Sequence, residues 1–379
     1  MSFSAPSALL PDPAVDAGLM GVALGLGRRG LGRTAPNPAV GALVVRQGDQ
    51  GPVIIGRGWT QPGGRPHAET EALARAGGAA RGATLFVTLE PCGHRGKTPP
   101  CTQAIIAAQI GTVVSAIEDP NPKVAGQGHA QLRAAGIAVR TGIEAQAARR
   151  AHAGHIRRIA DGRPHVTLKL AVSIDGKVGL QPHRPFAITQ QRARDRVHLM
   201  RAMNDAILIG IGTALADDPA LTCRLPGMMR RSPIRVVLDS NLRLPLASGL
   251  VRTARDVPVW VVASSAAARD REQALRGYGV EILRTESATR INLEAALRWL
   301  GARGVTRLMV EGGPAVAAAM ISADLVDEIA LFRSPIAIGS DGLDALSGLP
   351  LEALIRPRGL RSLGVEPIGV DTLETFVRV

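Results

Sequence analysis

Apolar positions recur along the chain with two alternating periods, and this predicts a mixed α/β protein. Val15, Leu19, Val22 and Leu26 fall at helical spacing behind Asp12-Pro13, an N-cap residue followed by a proline suited to the first helical position. Gly30-Leu31-Gly32 ends that helix. Residues 39–45 form a near-continuous apolar run, read as a buried strand. A hairpin loop at 48–52 leads to a partner strand at 53–56. Helical spacing over 68–76, apolar strands at 84–89 and 112–117, helices at 101–109 and 128–135 and a strand at 137–140 complete a first α/β domain over residues 12–143. Residues 1–11 are small and Pro-containing and read as a disordered tail.

Residues 144–162 carry Arg149, Arg150, Arg157 and Arg158 with His152 and His155. They read as a solvated linker helix, since no aromatic interleaving or groove-binding motif supports a nucleic-acid patch. A second domain is expected over 163–379, after Gly162-Arg163-Pro164. Strands at 166–172, 205–210, 234–238, 257–262, 280–283 and 307–310 alternate with helices at 190–203, 267–276 and 291–303. A helix at 315–323 and strands at 327–332 and 372–377 close it. Such alternation marks an α/β sheet. No internal repeat relates the halves.

Composition narrows the function classes. The chain has 379 residues and a net charge of +13, yet its arginines are scattered, which reads mainly as solubility. Aromatic residues are only 2%, leaving few stacking platforms for single-stranded nucleic acid. Three cysteines do not make a disulfide framework and fit a reducing compartment. No apolar run reaches the ~20 residues of a membrane span. Arg28-Arg29 follows the first apolar segment rather than preceding it, the wrong order for an export signal. A cytoplasmic protein without membrane or nucleic-acid partners is expected.

Candidate chemistry concentrates between His67-Ala68-Glu69 and Cys101. An imidazole (His67) and two thiolates (Cys92, Cys101) suit zinc with its fourth position open to water. Glu69, on the same helical turn as His67, can move that water's proton. The pattern follows the H-x-E…P-C-x-x-C outline of zinc deaminases, except that eight residues, 93–100, separate the cysteines. A closed structural site needs a fourth ligand. His94 would be strained in that role and would leave Glu69 without one. The spacer is basic and turn-rich, so a phosphate suits it. Farther on, Glu311-Gly312-Gly313-Pro314 stands between a strand and a helix, where glycines and a helix start let a pyrophosphate approach. It is not a G-x-G-x-x-G fingerprint, and alone an ordinary turn would account for it.

Taken together, Thr34-Ala-Pro-Asn37-Pro-Ala-Val-Gly41, His67-Ala-Glu69, Thr88-Leu-Glu-Pro-Cys92-Gly-His94-Arg-Gly-Lys97-Thr-Pro-Pro-Cys101 and Asp119-Pro-Asn121-Pro resemble the deaminase half of the bifunctional riboflavin-biosynthesis deaminase/reductases. Lys169-Leu-Ala171-Val-Ser173-Ile-Asp175-Gly176, the 210–224 stretch, Val236-Val-Leu-Asp239-Ser240 and the Glu311 turn resemble the reductase half. The resemblance implies a cytidine-deaminase-like α/β/α domain followed by a dihydrofolate-reductase-like α/β domain. It implies one Zn2+ on His67, Cys92 and Cys101, Glu69 as the catalytic proton carrier, and Asn37, His94 and Lys97 around the deaminase substrate. It further implies NADPH contacts at Ala171, Ala187, Thr213, Asp217, Ser240, Gly313 and Pro314. Reductase substrate contacts are implied at Lys169, Pro185, Arg201, Leu221, Arg224 and Glu311, with Arg201 and Arg224 as a phosphate clamp. The implied partner is a small phosphorylated pyrimidine, and a homo-oligomer through the reductase domain is expected. One segment departs from the family: Pro185 and Ala187 stand where a serine and a tryptophan are usual.

Overall fold

The computed structural model describes residues 12–96, 98–180, 187–354 and 359–378; the tail reading for 1–11, Lys97 and Pro185 lie outside them. The chain divides into two compact units, Met1–Gly162 and Arg163–Val379.

Unit 1 holds strands β1 (Gly41–Gly48), β2 (Gly51–Trp59), β3 (Thr84–Val87), β4 (Thr112–Ser115) and β5 (Ala138–Thr141) in the order β2-β1-β3-β4-β5. β1 is antiparallel to both neighbours, while β3, β4 and β5 are parallel. The unbroken apolar run of β1 reflects burial on both faces: Leu43, Val44 and Val45 are fully buried. Asp12 caps helix Pro13–Gly27, its carboxylate accepting the Ala14 and Val15 N–H groups. Of the expected stripe, Leu19 and Leu26 are buried and Val15 packs on the core, but Val22 is 45% exposed; Met20, Ala23 and Leu24 are buried beside them, and Asp16 is buried as the partner of Arg140.

Two glycines let helix Ala68–Ala76 lie directly on β2. A Cβ on Gly58 would come within 2.0 Å of the Ala68 carbonyl oxygen, and one on Gly56 within 2.2 Å of that of Ala72. The obstacle is backbone in both cases, so it cannot swing aside. Gly58→Ala should therefore destabilise unit 1 by about 1–3 kcal/mol, read by calorimetry. An unchanged melting profile would mean that the helix is not held this close.

The linker reading for 144–162 is corrected by the structure. Two helices, Ala145–Ala151 and Ala153–Asp161, pack on the first core: Ala148 is fully buried and Ile156 joins the same apolar cluster. Small alanines permit the approach while Arg149 and Arg150 face solvent. His152 is buried, with Nε2 3.0 Å from the Thr88 hydroxyl.

Unit 2 holds β6 (His165–Val172), β7 (Lys177–Leu180), β8 (Ala206–Gly210), β9 (Ile234–Leu238), β10 (Val259–Ala263), β11 (Glu281–Arg284), β12 (Arg307–Val310), β13 (Glu328–Arg333), β14 (Gly342–Asp344), β15 (Leu360–Ile368) and β16 (Asp371–Arg378). Its main sheet runs β11-β10-β9-β8-β12-β6-β13-β16-β15, and β7 pairs separately with β14. The strands from β11 to β13 are mutually parallel, and β16 and β15 follow antiparallel. The chain steps from β6 to β8 and outward to β11. It then returns to set β12 between β8 and β6, and places β13 on the other side of β6. Strand order thus reverses at β6, β8 and β12, and open α/β sheets hold ligands beyond the carboxyl ends of strands at such a point. Among the described residues no helix is long and apolar enough to cross a membrane.

Candidate active sites

In unit 1, His67 is the N-cap residue of helix Ala68–Ala76, Glu69 lies in its first turn, and Cys101 opens helix Cys101–Ala107. Cys92 stands beyond the carboxyl end of β3. The buried Glu90 fixes that extension, its carboxylate accepting backbone N–H bonds from Asp119 (3.0 Å), Gly126 (2.9 Å), Gly128 (2.8 Å) and His129 (3.2 Å). Gln131 ties both cysteine segments together. Its amide donates to the Gly93 carbonyl at 2.9 Å and accepts from the Thr102 hydroxyl at 2.8 Å. The Cys101 N–H donates to Cys92 Sγ at 3.3 Å.

His67 Nδ1 is 3.2 Å from Cys101 Sγ and 3.7 Å from Cys92 Sγ, and the three ligating atoms lie within 4.8 Å of one another. Nitrogen and sulfur ligands at ~2.0 and ~2.3 Å from a tetrahedral ion stand about 3.5 Å apart, so the spacing fits zinc. The protonation chemistry fits as well. Hydrogen bonding from Cys101 and His67 outweighs burial and brings the Cys92 thiol down to about 4. The bond to Cys92, with burial, pushes the Cys101 thiol up, and the bond to Cys92 raises His67 against its own burial. Two thiols this close resist ionising together, and a divalent cation removes that conflict. Burial pushes the Glu69 carboxyl up, with the charge of His67 acting the other way. A carboxyl raised in this way holds a proton more readily than an exposed one.

Asn37 is held by its side-chain N–H to the Gly64 carbonyl at 2.8 Å. His94 is exposed on the spacer. It stands near Asp119, where burial raises the carboxyl but His155, the Asn121 N–H and His94 together hold it below the ordinary range. Sequence reasoning missed Glu90, Gln131 and Arg65; the last donates to the Thr98 hydroxyl on the spacer. Nothing in the spacing marks Gln131, which acts only through the fold. Gln131→Leu should weaken zinc binding by roughly 10–100-fold, measured by competition with a chromogenic chelator. Wild-type affinity in that variant would show that the segments need no such tie.

In unit 2 the candidate residues converge beyond β6, β8 and β12. A cavity of ≈ 610 Å³ there is lined by Lys169, Ala171, Arg201, Thr213, Asp217, Arg224, Glu311, Gly313 and Pro314, all expected from sequence, and by His198 and Arg194, which were not. Ala187, Leu221 and Ser240 are not on its wall: Ala187 is exposed, Leu221 is buried in an apolar cluster, and Ser240 follows β9. Helix Pro314–Ser322 starts at the cavity, and the Gly313 N–H donates to the Thr213 hydroxyl at 3.1 Å. A Cβ on Gly312 would meet Val316 at 2.6 Å, so glycine keeps this turn tight. A cavity of this size, with a glycine turn and a helix start on its wall, can take a dinucleotide's phosphates.

Arg201 does not present a free fork to this cavity. Its Nε and Nη2 bind the two Glu311 oxygens at 2.7 and 2.9 Å, and Nη1 donates to the Thr222 carbonyl at 3.2 Å. The two-arginine clamp expected from sequence therefore has one member already engaged. Cys223 is buried.

Residues 164–373 match the model of the RibD C-terminal domain, and residues 14–117 match that of the cytidine and deoxycytidylate deaminase zinc-binding region. The riboflavin biosynthesis protein RibD of Escherichia coli (strain K12) is 39% identical over 343 residues, 87% of this chain and 91% of that protein. The Aquifex aeolicus (strain VF5) RibD is 36% identical over 96% of this chain and 99% of that protein. The chain belongs to the RibD family. It is thus a bifunctional deaminase and reductase of riboflavin biosynthesis, with a zinc-binding deaminase unit ahead of a RibD C-terminal unit. Solved structures match along nearly the whole chain. That of Acinetobacter baumannii RibD, form 1, has a TM-score of 0.85 at 33% identity, covering 97% of this chain and 100% of that one. A Thermotoga maritima structure described as a diaminohydroxyphosphoribosylaminopyrimidine deaminase/5-amino-6-(5-phosphoribosylamino)uracil reductase has a TM-score of 0.82 at 34% identity, covering 97% of this chain and 99% of that one.

Proposed function

We propose that the two units act in succession on one small phosphorylated pyrimidine. Unit 1 hydrolytically removes the 2-amino group of 2,5-diamino-6-ribosylamino-4(3H)-pyrimidinone 5′-phosphate. Unit 2 then reduces the ribosyl side chain to ribityl, giving 5-amino-6-ribitylamino-uracil 5′-phosphate. The observation that carries this reading is the meeting of His67, Cys92, Cys101 and buried Glu69 in a chain whose RibD likeness spans both units. His67, Cys92 and Cys101 would hold zinc, which would supply a water acidified to a pKa of about 7. Glu69 receives a proton and returns it to the leaving amine. Asn37, His94 and Lys97 hold the substrate, the last two at its phosphate.

In unit 2, NADPH supplies the hydride delivered to C1′. Gly313 and Pro314 at the helix start, with Ala171, Thr213 and Asp217, hold it, and Lys169, Arg224 and the Arg201–Glu311 pair face the substrate. Assembly through unit 2 is part of the reading. The exposed Leu363 and Val365 on edge strand β15 support it, and sedimentation checks it.

NADPH consumption on the two substrates tests the whole. The deaminated substrate should oxidise NADPH at once, and the aminated one only as ammonia is released. Ala187, in place of the usual tryptophan and away from the cavity wall, favours a second reading, a deaminase with an inactive reductase unit. Failure of the full chain to bind NADPH, with or without substrate, would establish that one instead. Robust deamination of single-stranded RNA or DNA would overturn both.

A further inference from the structure

We propose that His198 is a substrate-binding residue of the unit 2 cavity, donating a hydrogen bond from Nε2 to the substrate's phosphate. This rests on the reductase reading of that cavity. Helix Gln191–Ala202 brings Arg194, His198 and Arg201 to the cavity at i, i+4 and i+7, one face of the helix. Arg224 lines the cavity with them, and its backbone N–H lies 3.4 Å from His198 Nδ1. Lys169 adds a further cation to the wall, while the acidic groups there are Glu311 and Asp217. Both Glu311 oxygens are taken by Arg201. This end of the cavity therefore carries surplus positive charge, which suits an anion.

The ring of His198 is oriented for the role. Nδ1 stands 3.1 Å from the Thr222 carbonyl, an acceptor, and 3.4 Å from the Arg224 N–H, a donor; a proton on Nδ1 serves the shorter of the two contacts. Nε2 is then left to the cavity that His198 lines, where it donates once the ring carries its second proton. The fork of Arg201 is committed to Glu311, so Arg201 offers charge rather than a free pair of donors. Nε2 of His198 and the guanidinium of Arg224 can meet a phosphate directly. Burial, with Arg201 and Arg224, lowers the proton affinity of the imidazole. A phosphate dianion among these groups acts in the opposite direction, so its binding and ring protonation reinforce each other.

Histidine NMR on the full chain gives a test independent of turnover. The His198 resonance is the one missing from His198→Gln. It should move saturably on adding ribose 5-phosphate, with its titration midpoint raised, and stay in place on adding ribose. A resonance indifferent to ribose 5-phosphate, or equally sensitive to ribose, overturns the proposal. In NADPH oxidation, His198→Ala should raise KM for the phosphorylated substrate about tenfold, the scale of one lost hydrogen bond to a charged group. The larger part of the loss should fall on KM rather than kcat, and KM for the dephosphorylated nucleoside should not rise. Equal increases for both substrates also overturn it. Absence of NADPH oxidation by the wild type defeats the reductase reading instead, and the NMR titration still decides whether His198 binds phosphate.

Discussion

Glu69→Gln should lower deaminase turnover by about 10²–10⁴-fold while leaving zinc at one per chain and NADPH oxidation of the deaminated substrate intact. The expectation follows from place and chemistry together. Glu69 is 3% exposed in the first turn of the helix whose N-cap is His67. Burial pushes its carboxyl up, so it can accept a proton from the attacking water and give it up again. Glutamine keeps the volume and a carbonyl acceptor but carries no exchangeable acid. It is not one of the three ligating groups, so zinc measured by mass spectrometry should stay stoichiometric. Ammonia release reads the deaminase step and absorbance at the NADPH band reads the other. Full ammonia release by Glu69→Gln would mean that another group moves the proton. Loss of zinc would mean that Glu69 supports the ligands rather than the chemistry.

What could be read from sequence divides along physical lines. Helix 68–76 and strands 234–238 and 307–310 fall where periodicity and flanking turns place them, because their burial is strong and local. The candidate ligands His67, Cys92 and Cys101, whose ligating atoms lie within 4.8 Å of one another, could be picked out because zinc needs particular atoms and few residue types supply them. β15 was not legible: residues 361–367 are exposed, so neither alternation nor an apolar run marks it. The helical character of 145–161 was legible but its packing was masked by its arginines, since alanine faces carry a weak apolar signal even when they pack on a core. Asp16 escaped because a buried carboxylate depends on Arg140, which is distant in sequence. Glu90 and Gln131 escaped for the same reason, as their partners come from other segments. His198 could have been noticed, since it precedes Arg201 by one helical turn and shares its face. The arginine clamp shows the limit most clearly. Sequence supplies two guanidinium groups, and only the fold shows that one of them is already bound.

That pair carries the other large effect. Arg201→Met or Glu311→Gln alone should destabilise unit 2 by about 3–5 kcal/mol, because each leaves a buried group without its ionic partner. The side chains are 12% and 9% exposed, and the contact is bidentate. The double variant Arg201→Met, Glu311→Leu should recover most of the loss, since removing both charges removes the desolvation cost as well. Urea unfolding followed by Trp260 and Trp299, whose rings stack edge-on 5.2 Å apart, reports on unit 2 once Trp59 is replaced by Phe. The pair should also leave a pH signature. Burial raises the Glu311 carboxyl, but its bond to Arg201, the charge of Arg201 and those of Lys169 and His198 hold it below the ordinary value. A carboxyl depressed on folding contributes stability that is fully present above its unfolded pKa, about 4.3, and is lost as pH falls through the folded value. Wild type should therefore lose more stability than Glu311→Gln between about pH 5 and the onset of acid unfolding. Parallel profiles for the two would mean that Arg201 and Glu311 are solvated together in solution. Arg201 would then be free to serve as the second phosphate clamp that its position in the sequence suggests.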